Sequence, residues 1–141
     1  MQVMKQDHVQ EKIITIRNQK IIIDADVAEL YGVETKRVNE AVKNNSEKFP
    51  SGYLFEITNQ EKNKLVENFD RFKKLKHSSV PLKDFTKKGL YMLATVLKSH
   101  KAVEATLAII DTFAKVRELV LAVHHLVYRW LLYFDFVFYS F

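Results

Sequence analysis

The chain has 141 residues, 48% of them apolar and 28% charged, with no cysteine and a formal net charge of +5. This is the profile of one globular domain, or one domain with an appendage, and not of a disordered chain. The lack of cysteine excludes disulfides, thiol catalysis, Cys-based zinc sites and iron–sulfur clusters. Residues 1–10 are polar and carry no apolar run before a small-residue cleavage site, so they do not read as a secretory signal, and cytoplasmic residence is expected.

In chain order, Ile13 to Ile16 and Lys20 to Ile23 are β-branched runs around Asn18-Gln19, which predicts a short hairpin. Asp24 or Asp26 is expected to cap the next helix, since Asp26 and Glu29 have capping-box spacing. Val27, Leu30 and Tyr31 give that helix an apolar stripe. Gly32 ends it, because glycine adopts positive φ without steric cost. A second helix runs from Thr35, its expected cap, to about Asn45, with Val38, Ala41 and Val42 inward. A turn at Phe49 to Gly52 precedes a strand from Tyr53 to Ile57. Thr58 to Glu61 is a capping box opening a helix with Leu65, Phe69 and Phe72 on one side.

Residues 61–88 hold 9 basic and 4 acidic side chains, so the positive excess is concentrated there. Arg71, Lys73, Lys74, Lys76, Lys83, Lys87 and Lys88 cluster in it, interleaved with Phe69, Phe72 and Phe85. The run fits a solvated helix end and loop, with Lys73 to Asp84 as a basic loop. A surface that contacts a phosphate backbone is the sharper reading, and it gains weight only beside a base-reading element. Thr86 is expected to cap a helix from Lys87 to Lys98. A longer helix then starts near Lys101. On it, Ala102, Ile109, Phe113, Val116 and Val120 belong to a heptad seam, which serves either as a core face or as a homodimer contact.

Composition changes after Glu118. Residues 119–141 hold eight of the chain's 17 aromatics. Three readings stand: an element packed on the domain or a partner, a membrane-surface anchor, or the end of a truncated or frame-shifted reading frame. Arg129 and Asp135 interrupt the segment, so a membrane span is not expected.

Ala28, Gly32 and Val38 have the spacing of a helix-turn-helix, although an ordinary αα-hairpin fits the same three points. In the first reading, the helix from Thr35 enters the major groove of double-stranded DNA. Thr35, Lys36, Arg37, Asn39, Lys43 and Asn44 are then the candidate contacts, because Asn pairs with adenine and Arg or Lys with guanine. Arg71, Lys73, Lys74, Lys76, Lys87 and Lys88 grip flanking phosphates. Five or six such contacts predict an affinity loss of about 10²- to 10³-fold from low to moderate salt. No catalytic set, metal-ligand pair or glycine-rich phosphate loop is legible, so neither an enzyme nor a cofactor is expected.

The strings AELYGVETKRVNEAVKNN and FPSGYLFEIT, with DFTKKGLYML further on, resemble the KilA-N-type DNA-binding domain of the phage "ORF-six-N" branch over about residues 11–119. The resemblance implies a small α+β unit of the kind found in phage and prophage regulators and antirepressor-like proteins. Lys87-Lys88 stand where the family commonly has Glu-Gln. The expected architecture is thus an α+β helix-turn-helix domain over 11–119, with short hairpin or wing strands and C-terminal helices, followed by an aromatic tail over 120–141. The expected partner is double-stranded DNA. A module that binds another repressor protein is the alternative, because residues 24–45 carry a net −2.

Overall fold

A computed structural model describes residues 6–78 and 81–139. A short helix, α1 (Gln6–Gln10), leads into the hairpin of β1 (Ile14–Ile16) and β2 (Gln19–Ile23). Ile16 pairs with Gln19, so the turn is Arg17-Asn18, one residue earlier than the sequence suggested. Both residues have positive φ, 54° and 61°, and two successive left-handed residues match the twist of a tight hairpin.

Two further strands complete an antiparallel sheet of order β1-β2-β4-β3. They are β3 (Leu54–Glu56) and β4 (Lys83–Phe85), the latter lying within what the sequence suggested was a loop. β2 is buried on both faces. Ile22 faces a core built from α2 (Asp24–Tyr31), α3 (Thr35–Asn44), α5 (Lys87–Leu97) and the start of α6 (His100–Tyr139). Ile21 and Ile23 face a smaller core with Leu65 and Phe72. Leu65 lies on α4 (Asn59–Asn68), and Phe72 on a 3-10 helix, Asp70–His77. That 3-10 helix corrects the expected basic loop from Lys73.

Two cap assignments are also corrected. β2 runs into α2 with no intervening residue, so Ile23 takes the cap position of α2, and neither Asp24 nor Asp26 caps it. Glu34 takes that position before α3, and Thr35 is the first helical residue. The caps at Thr58 and Thr86 are as expected: Thr58 and Glu61 exchange both bonds of a capping box, and Thr86 accepts from the Gly89 N–H.

Gly89 is fixed by a close approach. A Cβ there would lie 1.9 Å from the Tyr53 carbonyl oxygen, so only glycine lets α5 start against β3.

α6 is 40 residues long, on the order of 60 Å at 1.5 Å per residue. It passes residue 119 without a break. Ala102, Ala105, Ala108 and Ile109 are buried in the domain core, and Phe113 packs at its edge. At Ala102 and Ile109 the seam is therefore a core face and not a dimer contact: those side chains are consumed within the chain's own core. The side chains of Val116 and Val120 lie outside the described part. From Ala114 to Arg129 every described side chain is exposed. Among the described residues, no helix is long and apolar enough to cross a membrane.

Candidate nucleic-acid interface

α3 is sharply two-faced. Val38, Ala41 and Val42 are buried against α2 and α5, which leaves Lys36, Arg37, Glu40, Lys43 and Asn44 exposed. The pivot between α2 and α3 is Gly32, at φ 69°, with the Val33 N–H bonded to the Ala28 carbonyl at 3.0 Å. Lys101 of α6 packs over this turn, and a Cβ on Gly32 would meet its side chain at 2.9 Å. The turn is thus held by its backbone conformation and by α6 together.

Between the outer face of α3 and the edge strand β3 lies an open groove of about 900 Å³. Lys36, Lys43 and Lys83 line it, with Asn39 at its wall and Glu40 and Glu56 as its carboxylates. Lys36 is 4.0 Å from Glu40, one helical turn on, so its charge is partly answered from α3 itself. Lys83 stood in the basic run, but the sequence did not place it beside α3. Its signal was weak because β4 was unrecognised: without the strand, nothing ties Lys83 to α3.

Asn39 is not presented as a base reader. Its side-chain amide donates inward to Asp24 at a long 3.5 Å, and its Oδ1 is buried without a protein partner. This corrects its assignment as an adenine contact. Asp84 is fully buried, and neither of its carboxylate oxygens accepts a hydrogen bond from the protein. Burial, reinforced by the charges of Asp24 and Glu61, pushes its carboxyl up to about 8, against the pull of Arg17. Burial also raises Asp24, which the Ala25 N–H, the Asn39 amide and Lys83 pull back. A polar cluster of Asp24, Asn39 and Asp84 thus sits where α2, α3 and β4 meet.

The other predicted phosphate contacts lie elsewhere. Arg71 donates to Asp26 at 2.6 Å and stacks on Phe72 at 4.2 Å. Asp26 also faces Lys12, at 3.6 Å, and Lys12 reaches Glu29 at 2.8 Å. Arg71 and Lys74 line a hollow with Asp26 and Glu29 that shares no residue with the α3 groove. Lys73 pairs with Asp70 at 3.0 Å. Lys76 is exposed on the same 3-10 helix. Lys87 and Lys88 are exposed on the first turn of α5, with Lys87 over the Tyr91 ring at 5.9 Å. Arg17, at the hairpin tip, is held by Glu61 in a two-pronged pair at 2.8 and 2.9 Å. That pair is the main cause holding the Glu61 carboxyl down at about 2.

A four-stranded antiparallel sheet carrying two short helices joined at a glycine, with C-terminal helices behind them, defines a small α+β domain. The ORF6N domain matches residues 11–96, and the chain belongs to that phage-associated family. No curated protein and no solved structure matches the chain.

Proposed function

We propose that this chain is a phage- or prophage-derived regulator that binds double-stranded DNA through a helix-turn-helix formed by α2 and α3. It acts by binding and not as an enzyme. The observation that carries the reading is the two-sidedness of α3: one face is locked into the core, while Lys36, Arg37, Lys43 and Asn44 stand free beside an open groove that Lys83 joins. A major groove about 12 Å wide admits one helix, and the side chains near the N-terminal end of α3 would reach base edges. Lys43 and Lys83 would take phosphates. About four free cations predict an affinity loss of about 10²-fold between roughly 50 and 200 mM salt. That is at the lower edge of the range the whole basic run implied, because Arg71 and Lys73 are already paired.

The test is fluorescence anisotropy with labelled duplexes over a salt series. Binding that weakens steeply with salt and disappears in a Lys36→Ala, Arg37→Ala, Lys43→Ala variant supports the reading. Absence of binding at about 50 mM salt, the low end of that range, or indifference to the triple substitution, refutes it.

A second reading is an antirepressor-like module that docks on another repressor through the same face. It is favoured by Glu40 and Glu56 in the groove, which repel phosphate but suit a mixed protein surface. Crosslinking the purified protein with and without duplex DNA separates the two.

A further inference from the structure

We propose that two copies of this chain pair antiparallel along α6, each inserting the exposed part of its helix into the groove between α5 and α6 of the other. All but Phe69 of the large apolar side chains exposed among the described residues lie on α6. Val103, Leu107, Ile110, Leu121 and Tyr128 form a seam offset by a residue from the stripe buried in the core, and Leu119, Val123, Leu126, Val127 and Leu132 lie off it. From Val103, steps of four and three pass Leu107 and Ile110, cross Arg117, and reach Leu121 and Tyr128, all exposed. That is almost four heptads, the length at which such a pattern indicates a coiled coil.

The seam begins inside an apolar groove of about 370 Å³, walled by Tyr91 and Ala94 of α5 and floored by Val103, Leu107 and Ile110. It then continues past the end of the domain, where its described side chains are exposed. A helix of this kind, alone in water, exposes a large apolar surface and lacks the tertiary packing that holds most helices.

The occupant is a second copy because the two halves of the seam complement each other. In antiparallel pairing, positions of one kind in the heptad face positions of the other kind. This sets Val103 against Tyr128 of the second copy, Leu107 against its His124, Ile110 against its Leu121, and Ala114 against its Arg117. The small Ala114 leaves room for the arginine stem. Asp111, one turn away and exposed, faces the guanidinium. A single two-fold operation thus fills both grooves, buries the seam on both projecting helices and pairs both arginines, as an isologous interface requires. The inference does not depend on DNA binding.

The chain has no cysteine, so single-cysteine variants report contacts without background. Ile110→Cys and Leu121→Cys are made separately at exposed sites. The expected result is twice the monomer mass by light scattering, a disulfide when the two variants are mixed and oxidised, and none in either alone. Ile110→Asp should weaken the dimer by about 10²-fold or more, because it sets a carboxylate against Leu121 of the second copy. A monomeric wild type at tens of micromolar overturns the proposal. So do disulfides in each variant alone, which would mean a parallel pair. Co-sedimentation of the monomer with phosphatidylcholine vesicles, in place of self-association, also overturns it.

Discussion

Two basic surfaces of this protein come from similar stretches of sequence and end in different states. Beside α3, Lys36, Lys43 and Lys83 line an open groove with two carboxylates. Beside the 3-10 helix, Arg71 is locked to Asp26 and stacked on Phe72, in a hollow it shares with Glu29 and Lys74. The second region holds more positive charge in sequence, and the first offers more of its charge to a ligand. A basic run is a binding surface only after its internal partners are subtracted, and those partners come from distant positions: Asp26 lies 45 residues from Arg71.

The sharpest way to break this comparison is to remove the two sets of lysines in turn. Lys36→Ala, Lys43→Ala and Lys83→Ala together should weaken duplex binding about 10²-fold at low salt and flatten the salt dependence by two to three ionic contacts. Lys73→Ala, Lys74→Ala and Lys76→Ala should cost less than about fivefold on the same contact scale. Anisotropy titrations on one duplex measure both, and the opposite ranking would reverse the assignment of surfaces.

The two regions should also separate by pH. Asp84, buried on β4, has a folded-state carboxyl at about 8 against 3.8 for the free group. The folded protein therefore holds a proton that the unfolded chain has released. Stability from this group is fully present below about pH 4 and falls as pH rises to about 8, with Asp24 acting in the same direction. Glu61, tied to the hairpin tip by Arg17, has the opposite sign: held at about 2 against 4.5, it contributes above pH 4.5 and loses that contribution as pH falls toward 2. Thermal melts of Asp84→Asn across this range should show a raised Tm at pH 8 and a flatter alkaline limb, while Arg17→Ala should flatten the acid limb and, by removing a cation that holds the Asp84 carboxyl down, steepen the alkaline one. An unchanged alkaline limb in Asp84→Asn would remove the buried acid from the account.

The parts of this fold that were legible in the sequence are those governed by near neighbours. Val38, Ala41 and Val42 recur at helical spacing, Gly32 marks a left-handed turn, and Thr58 with Glu61 closes a cap within one turn. What was not legible depends on residues brought together from afar. β4 offers Lys83, Asp84 and Phe85, only one of them apolar, so no alternation announces a strand, and its burial comes from β2 and β3 on either side. Gly89 looks like an ordinary helical glycine until the Tyr53 carbonyl arrives beside it. Asn39 sits on the polar face of α3 by spacing, yet Asp24, 15 residues earlier, turns it inward. For the seam on α6 the periodicity was legible, as a core face or a dimer contact, and its phase matches the stripe that the core consumes at Ala102 and Ile109; choosing between the two uses needed α5 and α2.

Smaller effects sharpen the same contrast. Arg71→Ala should lower stability by about 1–2 kcal/mol, since it breaks a partly buried pair whose arginine is a third exposed and whose aspartate keeps Lys12 as a second partner. A chemical denaturation midpoint shifted downward, with duplex affinity at permissive temperature within about threefold of wild type, would mark Arg71 as a structural cation. Lys36 is expected to behave in the reverse way. Its pair with Glu40 is long and exposed, so Glu40→Gln should leave the denaturation midpoint where it is. The same change removes a carboxylate from the groove and frees the Lys36 ammonium, so duplex affinity should rise about twofold at low salt, an advantage that fades as salt screens the exposed charges. A fall in affinity would instead mean that Glu40 itself makes the contact, accepting from a cytosine amine or from a protein donor, and α3 would then be reading its partner with a carboxylate.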